Sequence, residues 1–214
     1  MIYATMCVGK DWVSQYYGQI DKFAKTNQLH ILTDTPNSFN YGTTHLYDRD
    51  VFSYYEKINF ILSLSKQYNE RITYLDSDYI NAFDTTLEFD KHSLYSYKIL
   101  YLTNPSYLKW WSSSEDEISR TLLSEIDING TIDYFIPEAL ISFPPQKEID
   151  NIISDSKKLQ KKIESTYNQN TKTRKRLDKY KHGIGYSEGW GVTALCIKYQ
   201  IPIKEISWRK RTII

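Results

Sequence analysis

Short apolar runs separated by helical patterns organise the first third of the chain. Residues 2–8 and 29–32 are almost continuously apolar, which predicts buried strands, and residues 12–25 between them carry apolar side chains at helical spacing. Strand, helix and strand in this order form a βαβ unit with parallel strands and a right-handed crossover. A second helical pattern at 51–67 leads into a third apolar run at 72–75. The pattern predicts an α/β fold.

The rest of the chain continues this alternation, so we expect a central, mostly parallel sheet flanked by helices. Strand-like runs are predicted at residues 94–102, 132–143 and 201–206, helices at 115–126, 148–166 and 192–199, and a loop or short edge strand at 37–50. The 214 residues suffice for one sizeable core but not for two full domains. We expect residues 1–214 to form one Rossmann-like domain, either complete or part of a longer protein.

Charge and composition narrow the range of partners. The net charge is +1, so no nucleic-acid partner is expected, and no apolar run is long enough to predict a transmembrane segment. The basic stretch 157–181 has three interpretations: a solvated surface, a lid that orders on ligand binding, or a peripheral contact with anionic lipids. Two cysteines without metal or disulfide spacing favour a reducing, cytoplasmic location. The 19 tyrosines suit stacking on bases or sugars, although a biased coding sequence also explains them.

Two carboxylates one residue apart follow the third predicted strand and carry the clearest chemistry. Asp76 and Asp78 flank Ser77 directly after Leu75. Their side chains point the same way if the strand continues, and converge if the chain turns. In both cases they can hold one hard cation, Mn²⁺ or Mg²⁺, while a phosphate completes its shell. Open α/β sheets bind ligands at this carboxyl edge. The alternative is an exposed turn without a ligand.

The order of these elements resembles the nucleotide-sugar glycosyltransferases of the GT-A fold. Neither a Gly-x-Gly-x-x-Gly nor a phosphate-binding Gly-x-x-x-x-Gly-Lys-Ser/Thr motif is present, and the resemblance covers nearly the whole chain. It is greatest to retaining families such as the blood-group-type α-galactosyltransferases and the α-xylosyl and galactomannan transferases. Only the Asp-x-Asp is specific. The matching segments are Tyr3–Cys7, Leu32–Pro36, Tyr55–Ile58, Tyr74–Tyr79, Ser187–Trp190 and Ile206–Lys210.

The resemblance implies a metal-dependent transfer of a sugar from a nucleotide-sugar donor, expected to be a UDP-sugar, to a hydroxyl of a glycan, with retention. In the resembled enzymes the first strand holds the nucleotide, which implicates Thr5 and Cys7. The Asp-x-Asp with its central Ser77 binds the metal and the donor diphosphate, and basic residues near the C-terminus, here Arg209 and Lys210, close over that diphosphate.

The same resemblance makes Glu188, at the start of a late helix, the candidate catalytic carboxylate. A carboxylate beside the anomeric carbon can act as base, nucleophile or electrostatic stabiliser of an oxocarbenium-like centre. The alternative is a helix N-terminal carboxylate that interacts with the helix dipole.

Four further residues are candidates for the donor site, and each has a structural alternative of similar weight. Asp34 is expected to accept a bond from uracil or ribose, or to form a turn before Thr35 and Pro36. Lys57 is expected to pair with the Asp-x-Asp or the donor, or to be solvated. His182 is a candidate third metal ligand, although the chain lacks the His-x-x-Gly-x-Lys-Pro motif of some retaining families. Trp190 is expected to stack on a sugar or to pack in the core.

Three other functions remain open from the sequence. A sugar nucleotidyltransferase would need a glycine-rich first loop with a basic residue, of which Gly9 and Lys10 are only a partial match. A non-catalytic carbohydrate-binding module would use the many aromatic residues. A transferase that glucosylates nucleic-acid bases would use the basic stretch on phosphates.

Overall fold

The computed structural model describes residues 1–97, 99–101, 121–130, 132–136, 139–167, 183–184 and 188–206. The described strands are β1 (Ile2–Met6), β2 (Leu29–Thr33), β3 (Thr43–Leu46), β4 (Phe52–Ser53), β5 (Ile72–Leu75), β6 (Leu94–Ser96), β7 (Leu100–Tyr101), β8 (Tyr134–Phe135), β9 (Leu140–Phe143), β10 (Gly183–Ile184) and β11 (Ile203–Glu205). The helices are α1 (Lys10–Ala24), α2 (Glu56–Tyr68), α3 (Ile149–Tyr167) and α4 (Glu188–Lys198), and residues 121–125 are also helical.

Seven strands form the central sheet in the order β11-β6-β9-β5-β1-β2-β3. All of its pairings are parallel except the two made by β9, which runs antiparallel to both β5 and β6. Strands β1, β2 and β5 are buried along their whole length, as their continuous apolar sequences require. The predicted α/β class, with a mostly parallel sheet flanked by helices, is confirmed.

Alternate side chains of β1 enter different cores on the two faces of the sheet. Ile2, Ala4 and Met6 belong to a cluster that includes apolar side chains of α2, α3 and α4. Tyr3 belongs to the opposite cluster, which includes apolar side chains of α1. Because successive residues of a strand point to opposite faces, a single apolar strand contributes to both layers. None of the helices in the described ranges is long and apolar enough to cross a membrane.

Helix α2 begins later than its apolar periodicity predicts. The pattern predicts a helix from residue 51, whereas residues 52–53 form β4 and the helix begins at Glu56. Strand β4 pairs in parallel with β10, a partner more than a hundred positions away that local spacing does not reveal. The C-terminal end agrees with prediction, since Asn69 adopts a left-handed conformation with φ 52° and ends the helix.

Two predicted long strands are each divided. Within 94–102, β6 joins the central sheet while β7 pairs with β8 in a separate two-stranded sheet. Within 132–143, β8 belongs to that small sheet and β9 to the central one. Strands β6 and β9 are fully buried, whereas β8 is half-buried, so the apolar pattern alone does not show where either run changes partner.

Candidate functional site

A cleft of about 140 Å³ opens at the carboxyl ends of β1 and β5. Its charged lining residues are Lys57, Asp76 and Asp78. Its aromatic lining residues are Trp12, Phe52, Tyr54 and Tyr74. The position agrees with the general rule that open α/β sheets bind ligands beyond the carboxyl ends of their parallel strands.

Asp76, Ser77 and Asp78 form a turn, named here the acidic turn. The N–H of Asp76 still donates to the carbonyl of Ala139 at 3.0 Å, which extends the pairing of β5 by one residue. The N–H of Tyr79 then donates to the carbonyl of Asp76 at 2.9 Å, so the chain turns immediately after the strand. Of the two geometries that the sequence allows, the chain adopts the turn, and both carboxylates line the same cleft.

Asp76 is held through one of its two carboxylate oxygens. Its Oδ1 lies 3.3 Å from Nζ of Lys57 and accepts a hydrogen bond from the hydroxyl of Tyr74 at 3.0 Å. Both of these interactions use Oδ1, and no hydrogen bond or ion pair between described residues involves Oδ2. The side chain of Asp76 is 28% exposed, whereas that of Lys57 is only 6% exposed. The ion pair between Lys57 and the Asp-x-Asp is therefore formed, and it uses only one of the two oxygens of the Asp76 carboxylate within the described ranges.

Ser77 points away from solvent and is fixed by α1. Its residue is 2% exposed, its Oγ accepts a 2.7 Å hydrogen bond from Nε1 of Trp12, and its carbonyl accepts a bond from Nε2 of Gln19. All three residues of the acidic turn line the cleft, and the middle one is buried and held by α1. Trp12 and Gln19 were not identified from the sequence, because in the periodicity of α1 they are ordinary helix positions.

The two first-strand candidates, Thr5 and Cys7, are fully buried, and neither side chain lines the cleft. The hydroxyl of Thr5 donates to the carbonyl of Leu75 at 2.7 Å, which ties β1 to the end of β5. Burial, and next the charge of Asp34, raise the pKa of the Cys7 thiol to about 12, although its contact with Ser77 opposes this. The thiol is therefore protonated at neutral pH.

Asp34 fixes the loop that follows β1. Its Oδ1 accepts a 2.9 Å hydrogen bond from the N–H of Gly9, the residue before α1. Gly9 has φ 96°, a left-handed value that favours glycine. The carboxylate that was predicted to accept a bond from the nucleoside thus supports the backbone of the neighbouring loop.

The late candidates lie in different surroundings. Trp190 is 1% exposed and packs edge-to-face on Phe135 at 5.2 Å, so its ring belongs to the core. Glu188 is the first residue of α4, as predicted, while its side chain lies outside the described part of the structure. Three other candidates also lie outside the described residues: His182, Arg209 and Lys210.

The oxygen donors at the acidic turn fit a hard divalent cation such as Mn²⁺ or Mg²⁺, since two carboxylates line one cleft and carboxylate oxygens are the ligands such cations prefer. They do not form a complete ligand set by themselves. Across the described ranges, no group of three or more histidine, cysteine, aspartate or glutamate side chains is arranged to hold a metal ion.

Comparison of the chain with models of known protein families finds no match, and comparison with curated proteins finds none either. The case for a function therefore depends on the geometry of the cleft.

Proposed function

We propose that the protein is a metal-dependent glycosyltransferase that moves a sugar from a nucleotide-sugar donor, expected to be a UDP-sugar, to a hydroxyl of a glycan. The observation that carries the proposal is the acidic turn at the carboxyl end of β5, where Asp76 and Asp78 line a cleft together with the buried Lys57. Two acidic side chains beside the buried ammonium of Lys57 suit a ligand that arrives as a metal–diphosphate complex.

Asp76 and Asp78 would hold the cation, and phosphate oxygens and water would complete its shell. A bound Mn²⁺ or Mg²⁺ would neutralise the charge that grows on the diphosphate as it leaves the sugar. Lys57 would add a positive charge on the same side. Because this ammonium is already fixed by Asp76, it needs little reorganisation when the donor binds.

We further propose Glu188 as the carboxylate that serves the sugar carbon or the acceptor hydroxyl. Its place in the chain supports this role, since β10 ends four positions before Glu188 and pairs with β4, whose Phe52 lines the cleft. Retention of the anomeric configuration is our expectation.

We also propose that the protein acts in the reducing environment of the cytoplasm. Cys7 and Cys196 are both free and buried, so the described fold does not depend on a disulfide. A peripheral contact with membrane lipids would bring the enzyme to a lipid-linked acceptor.

Calorimetric titration of UDP with and without Mn²⁺ tests the central claim. We expect Mn²⁺ to tighten UDP binding at least tenfold, and Asp76→Asn and Asp78→Asn each to remove that gain. Asp150→Asn is the matched control, because Asp150 is 73% exposed and pairs with Lys66 outside the cleft. Equal UDP affinity with and without the metal would overturn the proposal.

A donor screen then identifies the reaction. UDP- and GDP-sugars are incubated with Mn²⁺ and no acceptor, and release of the nucleoside diphosphate is measured. We expect slow hydrolysis of one UDP-sugar, absent in Asp78→Asn. Formation of a nucleotide-sugar from a nucleoside triphosphate and a sugar phosphate would instead identify a nucleotidyltransferase.

A further inference from the structure

We propose that α1 positions the acidic turn for metal binding, through hydrogen bonds from Trp12 and Gln19 to Ser77. The inference rests on the proposed function, since it concerns the same cation. Nε1 of Trp12 donates to the hydroxyl oxygen of Ser77 at 2.7 Å, and Nε2 of Gln19 donates to the carbonyl oxygen of Ser77. Both the side chain and the backbone of the middle residue are thus fixed from one helix.

The two donors lie two helical turns apart on α1 and therefore on the same face. Gln19 also reaches the chain beyond the turn, because its Oε1 accepts a 2.9 Å bond from Nδ2 of Asn81. The amide of Gln19 uses its donor on Ser77 and its acceptor on Asn81, which fixes its orientation. Helix α1 therefore holds the acidic turn and the segment after it together.

The need for this support follows from the charges of the turn. Asp76 and Asp78 are both acidic and line one cleft, so without a cation they repel each other, and Lys57 pairs with Asp76. Mg²⁺ takes its oxygen ligands at about 2.0–2.1 Å, so a site that uses both residues must bring their carboxylates close together. A turn whose middle residue is already fixed loses less conformational entropy when the ion binds.

Trp12 and Gln19 are positioning residues in this account, because they act on the metal through Ser77. Ordering one backbone residue has a cost that corresponds to roughly a tenfold change in an equilibrium constant. We therefore expect Trp12→Phe and Gln19→Met each to weaken Mn²⁺ binding about tenfold. Trp12→Phe keeps an aromatic ring in the cleft but removes the N–H donor together with part of the indole, and Gln19→Met keeps the length of the side chain.

The test measures free Mn²⁺ by electron paramagnetic resonance in the presence of saturating UDP, together with UDP affinity without metal and the thermal unfolding midpoint. We expect both variants to lose Mn²⁺ affinity while metal-free UDP affinity and the midpoint change little. Gln15→Met is the control, because Gln15 is exposed on α1 and, among the described residues, its side chain donates to Tyr16 and not to the acidic turn. It should bind Mn²⁺ as the wild type does.

A double-mutant cycle checks that Trp12 acts through Ser77. Ser77→Ala removes the acceptor, so adding Trp12→Phe to it should cause little further loss of Mn²⁺ affinity. Wild-type Mn²⁺ affinity in both helix variants would overturn the inference and leave the proposed function standing. An equal loss of Mn²⁺ affinity and metal-free UDP affinity would also overturn it, since the effect would then be general. Absence of Mn²⁺-dependent UDP binding in the wild type would overturn the proposed function and this inference together.

Discussion

Nζ of Lys57 lies 3.3 Å from Oδ1 of Asp76, and the same nitrogen lies 5.5 Å from the centre of the Tyr74 ring. The lysine extends from α2, on one face of the sheet, to the tip of β5, and its side chain is 6% exposed. A buried ammonium thus already compensates one of the two carboxylates that we propose as metal ligands. A metal ion that binds Asp76 must do so in the presence of this positive charge.

Replacing Lys57 by methionine should therefore affect metal and nucleotide binding in opposite directions. We expect Lys57→Met to bind Mn²⁺ alone about tenfold more tightly, since a like charge near the ion is removed. Metal-free UDP binding should weaken, since a positive charge that lines the cleft is lost. Both affinities can be measured by calorimetry.

Lys66→Met is the matched control for that substitution. Lys66 also lies on α2, but its side chain is 56% exposed and pairs with Asp150. The control should leave both affinities unchanged. A decrease in both affinities in Lys57→Met would contradict the opposed roles that we assign to this lysine.

Glu164 of α3 should stabilise the wall of the cleft that contains Phe52. Its carboxylate accepts bonds from Arg49 at 2.8 and 3.0 Å, from Gln160 at 2.7 Å and from the hydroxyl of Ser53, the neighbour of Phe52. Burial raises the pKa of Glu164, but the bonds from Arg49, Ser53 and Gln160 outweigh burial, and the net pKa is lowered. The charged form is thus the one that this network stabilises.

We expect Glu164→Gln to lower the free energy of unfolding by roughly 2–3 kcal/mol, because the half-buried Arg49 loses its bidentate partner. Urea unfolding measures this change. A double-mutant cycle with Arg49→Met should give a coupling energy above about 1 kcal/mol. A coupling energy near zero would show that the two side chains act independently.

Gly191 permits the close approach of α4 to Tyr55. A Cβ atom at Gly191 would lie 2.5 Å from Cε2 and 2.6 Å from the hydroxyl of Tyr55, a fully buried ring. We expect Gly191→Ala to destabilise the fold by about 1–3 kcal/mol, since the ring or the helix must move. Thermal unfolding provides the measurement.

Gly18 on α1 differs from Gly191 because it has room for a side chain: nothing lies within 4 Å of a Cβ atom placed there. Gly18→Ala is therefore the matched control. It should stabilise the protein by up to about 1 kcal/mol through helix propensity. Equal effects of the two substitutions would argue against the close packing at Tyr55.

The contact between the buried His30 and the half-buried His45 should make stability depend on pH. Nδ1 of His30 lies 2.9 Å from Nε2 of His45, a bond that needs one protonated and one unprotonated ring nitrogen. Burial, and next the neighbouring His45, lower the pKa of His30 from 6.5 to about 4, and burial also lowers the pKa of His45.

Because the unfolded chain takes up these protons near pH 6.5 and the folded chain only at lower pH, stability should fall as the pH decreases between about 6.5 and 4. We expect His30 to account for a loss of roughly 3 kcal/mol in the free energy of unfolding across that pH range. Urea unfolding at several pH values measures the slope, which should be smaller in a His30→Asn/His45→Asn double variant. His92→Gln, at an exposed position, should keep the wild-type slope.

Much of the fold could be predicted from the sequence, since local periodicity records which faces of an element are buried. The βαβ start, α3 and the strand before Asp76 were all identified in this way. Periodicity could not divide the runs at 94–102 and 132–143, because it records burial and not the partner against which a residue is buried.

For the site, the sequence alone determined that two carboxylates follow a buried strand, and it left open whether Lys57 pairs with them, pairs with the donor or is solvated. Only the tertiary structure decided that the chain turns at Ser77, that Trp12 and Gln19 hold that turn, and that Trp190 faces the core. These are contacts between residues far apart in the chain. They depend on how helices pack against the sheet, and that packing is set by the sum of many long-range contacts rather than by any local pattern.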